Sequence, residues 1–331
     1  MVRGGEAPKR LLFLDGLRAF AMIAVALGHA VSELWGEDVF VFQFIYYFHM
    51  PLLFMVSGLT WSVVKGKSEA YLIESSARLL MTSGVFAVIN MCMAVFYEGL
   101  RMADALVYTY NGVWFIIVLT IIQTAVCLQA RLDRDMNKIR AGADRQLDIM
   151  LVFVAVLVMM ITGEYQVINL SKADAFAFRL AGEIGKLSGY YLCYLYADRV
   201  REAGSSTARG LSLCVTGVLF VTACYCHNIT VSVGPVRIVS GILMAPALMG
   251  MFERHYGTNI LYTVSAFSLE IYLTHVLVMR LLPDSISPAW YKCVLLTMIF
   301  LMSGIIIGYA EEYIPVLRNI FHPVIKRRLG R

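Results

Sequence analysis

Long apolar runs alternate with short polar stretches along the whole chain. A membrane-spanning helix needs about 20 mostly apolar residues. Ten segments meet that measure: 11–34, 39–64, 79–97, 112–129, 147–162, 175–197, 210–227, 233–252, 260–282 and 290–310. The fifth is short and the sixth is rather polar. The pattern predicts an all-α integral membrane protein, one bundle of about ten transmembrane helices spanning residues 1–331 as a single domain. The first run contains Asp15 and Arg18 and continues past Ala30 to Trp35, so it reads as a retained span and not as a cleaved signal peptide. The stretch 130–146 mixes Arg131, Asp133, Arg134, Asp135, Lys138, Arg140, Asp144 and Arg145, and is expected to be a solvated connector, with a short surface helix as the alternative.

Charge gives the spans a direction. Cytoplasmic loops of membrane proteins carry an excess of Lys and Arg. With the N-terminus inside, the basic clusters Lys65, Lys67 and Arg78; Arg131 to Arg145; Arg199, Arg201 and Arg209; and Lys326-Arg327-Arg328 all fall on the inner side. The loops at 35–38 and 283–289 carry no Lys or Arg. An even number of spans returns the basic tail, about 311–331, to the inside, so both termini are expected in the cytoplasm. Composition agrees, with 59% hydrophobic and 15% charged residues against about 25% charged in soluble domains. The basic residues are dispersed among loops, which argues against nucleic-acid binding. Seven cysteines lie mostly in apolar runs, where a thiol packs as a small hydrophobe. Cys224, Cys226 and His227 form a C-x-C-H cluster without the spacing of a zinc site.

Ionisable groups within spans are costly and mark candidate function. Asp15 and Arg18, three residues apart, can share a face of the first helix. His29 lies eleven residues beyond Arg18, about 16 Å deeper at 1.5 Å per residue. His49, beside Pro51 in the second span, and His275, near the end of the ninth, fall at a matching depth. Pro51 frees a carbonyl next to His49 and predicts a kink there. Three histidines on three helices at one depth point to a shared polar cavity. Glu270 reads as a carboxylate paired within the bundle. Arg179, Glu183 and Lys186 form one charged stripe, either self-neutralising or lining the cavity.

The first-span sequence Phe13-Leu-Asp-Gly-Leu-Arg18, followed by His29, resembles the opening of the acyltransferase 3 family of membrane O-acyltransferases. Tyr47-Phe-His-Met-Pro-Leu52 with Met55-Val-Ser-Gly58, Val113-Trp-Phe115 and Ser268 to His275 resemble further blocks of that family, in order, and the first two of these are most similar to its branch of sugar O-acetylases and exopolysaccharide acyltransferases. Members often carry an Arg-x-x-Arg pair before the third span; here Ser75 replaces the first Arg and Arg78 stands at the second. The resemblance implies a cytoplasmic acyl-CoA donor, acetyl-CoA first, and a hydroxyl acceptor on the outer side, such as a cell-surface glycan, with the protein in a bacterial inner membrane. Arg18, Arg78, Lys65 and Lys67 then provide cations for the CoA phosphates, with Trp114 in the donor site. His29 is the expected general base, and His49, Tyr272 and His275 orient it or stabilise the oxyanion. Asp15, Glu270, Arg179 and Glu183 form the supporting polar network, and the chemistry requires no metal. The competing reading is a transporter or flippase that uses the same buried His, Arg and Glu residues as a relay, against which the lack of an inverted repeat counts.

Overall fold

A computed structural model describes residues 12–139, 143–169, 175–203, 206–227, 234–254, 259–283 and 286–323. Among them the chain is helical without a strand. The helices are α1 (Leu12–Trp35), α2 (Phe40–Leu59), α3 (Glu69–Cys92), α4 (Met102–Ile139), α5 (Ala143–Asn169), α6 (Ala175–Leu195), α7 (Ala197–Ala203), α8 (Thr207–Cys226), α9 (Gly234–Arg254), α10 (Asn259–Ala266), α11 (Ser268–Met279), α12 (Trp290–Ala310) and α13 (Pro315–Phe321). α2 and α3 each end in a wider π turn, Thr60–Val64 and Met93–Tyr97.

Among the described residues, seven helices are long and apolar enough to cross a bilayer: α1, α2, α3, α4, α8, α9 and α12, with the pair α10 and α11 as an eighth if counted together. The two remaining expected spans, α5 and α6, are helices of 27 and 21 residues. Exposure to lipid explains why apolar runs dominate. Leu211, Val215 and Leu219 on α8, and Val294, Leu295 and Met298 on α12, are exposed. A soluble protein would bury such side chains; a bilayer solvates them, while the helix satisfies its own backbone.

Two expectations are corrected. The stretch after residue 129 is not a plain connector, because α4 continues to Ile139. Alternating charges support that extension, and Arg131 and Arg134 pair with Glu69 of α3 at 3.4 and 2.5 Å. The ninth span is not one straight helix, because α10 and α11 meet at a 73° bend. The cause lies in α12, whose Gly304 and Gly308 let α11 close in. A Cβ on Gly304 would stand 2.3 Å from the backbone N and Cα of Ile271, and one on Gly308 2.1 Å from the Phe267 ring.

α1 occupies the centre and packs against α2, α9, α10, α11 and α12. Small residues on it permit this: Ala19, Ala21 and Ala30 are fully buried. α2 is the second central helix, bounded by α1, α6 and α9. It runs unbroken through Pro51, and the position facing Pro51 is Gly241 of α9, where a Cβ would lie 2.2 Å from the proline ring. The tail turns back. Thr82 of α3 donates to the carbonyls of Ile320 and Phe321 at 2.8 and 3.4 Å, and Phe321 packs on Phe86 with ring centroids 5.0 Å apart. Residues 324–331, with Lys326, Arg327 and Arg328, lie outside the described residues.

Candidate active site

The three histidines meet. His29 of α1, His49 of α2 and His275 of α11 line one cavity of about 450 Å³ together with Tyr46, Asn111, Trp114, Arg237 and Tyr272. The ring centroids of His29 and His275 are 4.9 Å apart. The Tyr46 hydroxyl stands 3.4 Å from either ring nitrogen of His29. Gly28 makes that approach possible, since a Cβ there would lie 2.8 Å from the Tyr46 ring.

Two of the three imidazoles are anchored. His49 Nδ1 donates to the Ile45 carbonyl at 2.8 Å, and His275 Nδ1 donates to the Ile271 carbonyl at 3.0 Å, each four residues back on its own helix. An Nδ1–H committed to a carbonyl leaves Nε2 as the lone-pair nitrogen. His275 Nε2 is buried without a hydrogen-bond partner among the described residues. Among the described residues His29 has no such backbone tie, and its polar contact is the Tyr46 hydroxyl.

A second cavity, about 550 Å³, lies along the same helices toward Arg18. Its walls include Arg18, Ser57, Phe115, Ser268, Leu269 and Tyr272. Arg18 donates to Thr60 Oγ1 at 3.2 Å, and Asp15 accepts from Ser265 Oγ of α10 at 3.0 Å. Tyr272 belongs to both cavities and packs on Phe115, ring centroids 5.4 Å apart. Tyr272, lining both, stands between the histidines and Arg18, with Phe115 packed on it from the Arg18 side.

The other expected residues divide. Trp114, grouped by the sequence with the donor-site cations, lines the histidine cavity instead, while its neighbour Phe115 lines the Arg18 cavity. Adjacent residues on a helix point about 100° apart, so only one of the two can face each chamber. Lys65 and Lys67 are exposed in the turn after α2, with Lys65 Nζ 5.4 Å from the Tyr71 ring, and Arg78 lies on α3 beside His322; none of them lines the Arg18 cavity. Ser75, in place of the first Arg of the pair, is buried and accepts from Gln123 Nε2 at 3.4 Å, so it faces α4. Glu183 pairs with Lys186 at 3.0 Å and accepts from Tyr110 at 3.4 Å, which fits the self-neutralising stripe. The Arg179 side chain lies outside the described residues. Cys224 is buried while Cys226 and His227 are exposed, so the cluster is split between environments.

Glu270 points away from the histidines. It is 1% exposed and faces Glu311 and His322 at the foot of α12, with His322 Nε2 3.5 Å from Glu270 and 3.3 Å from Glu311. Contact with the Glu270 carboxylate holds the His322 imidazole above its ordinary range, and burial, then Glu270, pushes the Glu311 carboxyl up to about 7. Sequence reasoning missed Tyr46, Asn111 and Arg237. Arg237 is 7% exposed and donates to the Tyr190 hydroxyl at 3.3 Å. A buried arginine in an apolar segment was a signal, but position 237 read as a span end.

Residues 11–310 match the family model described as an acyltransferase domain. The chain belongs to the acyltransferase 3 family. The match covers both cavities and all three cavity histidines, so this acyltransferase carries the family domain over nearly its whole length. No curated protein and no solved structure matches it. Membrane acyl transfer is the activity the family indicates.

Proposed function

We propose that the protein transfers an acyl group, acetyl first, from cytoplasmic acyl-CoA to a hydroxyl of an outer-side glycan, with His29 as general base. The observation that carries this reading is the meeting of His29, His49 and His275 in a chamber divided from the Arg18 chamber by Tyr272. Arg18 meets a phosphate of CoA, with Lys65, Lys67 and Arg78 on the approach. The pantetheine arm extends along α1 past Tyr272 and presents the thioester at His29, over the about 16 Å that eleven residues of helix provide. The acceptor hydroxyl enters from the other side.

The chemistry follows from the tautomers. His29 takes the hydroxyl proton as the acceptor oxygen forms its bond to the thioester carbonyl carbon. The tetrahedral intermediate then expels the CoA thiolate, which takes the proton from the His29 imidazolium. The unpartnered lone pair of His275 Nε2, on a ring whose centroid is 4.9 Å from that of His29, receives the other ring N–H of His29 when that imidazole turns to the substrate, and the Tyr46 hydroxyl steadies the ring. Asn111 and Arg237 are the donors within the cavity for the oxyanion or for the acceptor's own hydroxyls. Ten spans with both termini in the cytoplasm, in a bacterial inner membrane, give the donor and acceptor their separate sides.

The test is transfer from labelled acetyl-CoA to surface glycan fragments by purified protein, wild type against His29→Ala. CoA release that depends on acceptor separates an enzyme from a transporter. Full activity in His29→Ala ends this mechanism.

A further inference from the structure

The cluster where the tail meets the bundle has a use of its own. One ligand atom each from Glu270 of α11, Glu311 at the end of α12 and His322 after α13 lie within 4.8 Å of one another. We propose that these three side chains form a structural site for a divalent cation of the zinc class, fastening the C-terminal segment to the foot of α11 and α12.

Three observations carry the proposal. The first is spacing. Two ligands about 2.1 Å from a tetrahedral metal stand about 3.4 Å apart. His322 Nε2 lies 3.5 Å from Glu270 Oε1 and 3.3 Å from Glu311 Oε2. A well-formed N–H···O bond is shorter, near 2.9 Å. The second is the state of the carboxylates. Glu270 Oε2 and Glu311 Oε1 are both buried with no hydrogen-bond partner among the described residues. Glu270 and Glu311 are 1% and 6% exposed. Burying a carboxylate costs several kcal/mol unless it is neutralised. The two carboxyls also share a hydrogen bond, which one proton between them permits; a dication would displace that proton and offset both charges. Arg78 and Arg318 act on the cluster only through the longer-range field.

The third is position. His322 is 55% exposed in its side chain, so a cation and one or more waters can reach the open side of the site. A mixed imidazole and carboxylate set selects zinc over magnesium or calcium, which prefer oxygen ligands alone and higher coordination. The metal would tie residues 315–323 across α3, which already holds that segment through Thr82. It would also fix the start of α11, whose Ser268 and Leu269 line the Arg18 cavity.

The experiment uses the full chain purified in detergent on a tag without histidine. Zinc is added, excess is removed, and metal per chain is counted by mass spectrometry, with affinity from competition against a chromophoric chelator. Wild type is expected to hold one zinc per chain, with deuterium exchange in 315–323 slowed by the metal. His322→Ala and Glu311→Gln are expected to lose it; Cys226→Ser is expected to keep it. His322 is at the surface, so His322→Ala folds, and a melting temperature without zinc equal to wild type verifies that. A wild type without stoichiometric zinc overturns the proposal, and so does retention of zinc by either variant. Neither result bears on acyl transfer.

Discussion

Gly304→Ala places a methyl group on α12, a helix that contributes no side chain to the histidine cavity, yet it should slow the reaction. A Cβ at 304 would lie 2.3 Å from Ile271 N and Cα, both backbone atoms that cannot rotate away. Ordinary contact begins at 3.4 Å, so α11 must move by about 1 Å. Ile271 directly precedes Tyr272, and its carbonyl anchors His275. Thr274 and Ser303, hydroxyl to hydroxyl at 2.9 Å, couple the same two helices and must shift with them. A misplacement of about 1 Å at a catalytic group costs about 10²-fold in rate. Stability changes less. Overpacking costs about 1–3 kcal/mol, while replacing a helical glycine by alanine returns about 1 kcal/mol. Acetyl transfer at saturating acetyl-CoA should therefore fall about 10²-fold with only a small shift in melting temperature. Gly84→Ala, with open space at its Cβ, is the control and should keep the wild-type rate. A Gly304→Ala protein with the wild-type rate would show that the α11–α12 contact does not position Tyr272 and His275.

Four further outcomes are expected. His29→Ala should lower kcat about 10²–10⁴-fold with little change in KM for acetyl-CoA, read by steady-state thiol release. Arg18→Gln should act the other way, raising KM for acetyl-CoA more than it lowers kcat, because a donor-site cation contributes mainly to binding. Tyr272→Ala removes the partition, so acetyl-CoA hydrolysis without acceptor should rise above wild type in the same assay. Glu98→Ala removes one ion-pair partner, 2.8 Å away, of Arg280, whose side chain is 1% exposed. Breaking that buried pair should cost about 3 kcal/mol by chemical denaturation in detergent, and Arg280→Met in the same chain should restore part of it.

The apolar runs by themselves determined that the chain is a helical membrane protein, because about 20 residues without charge have no other stable destination. Local sequence also determined the depth of His29 relative to Arg18, since helical rise is a fixed length per residue. Depth is one coordinate, and the faces of three helices are another. That His29, His49 and His275 share a chamber was settled by which small residues let the helices approach, Gly28 against Tyr46 and Gly241 against Pro51. The break at Phe267 was invisible in an apolar run, because it is imposed by glycines of a different helix, α12. The exchange of Trp114 for Phe115 at the Arg18 cavity has the same origin: a sequence names both residues, and only helix rotation within the bundle assigns each to a side. Glu270 reads alone as a buried acid; its partners Glu311 and His322 follow it by 41 and 52 residues. Sequence determined which groups must be buried, and tertiary packing decided which of them meet, because burial is a property of each residue while a site is a property of the distances between them.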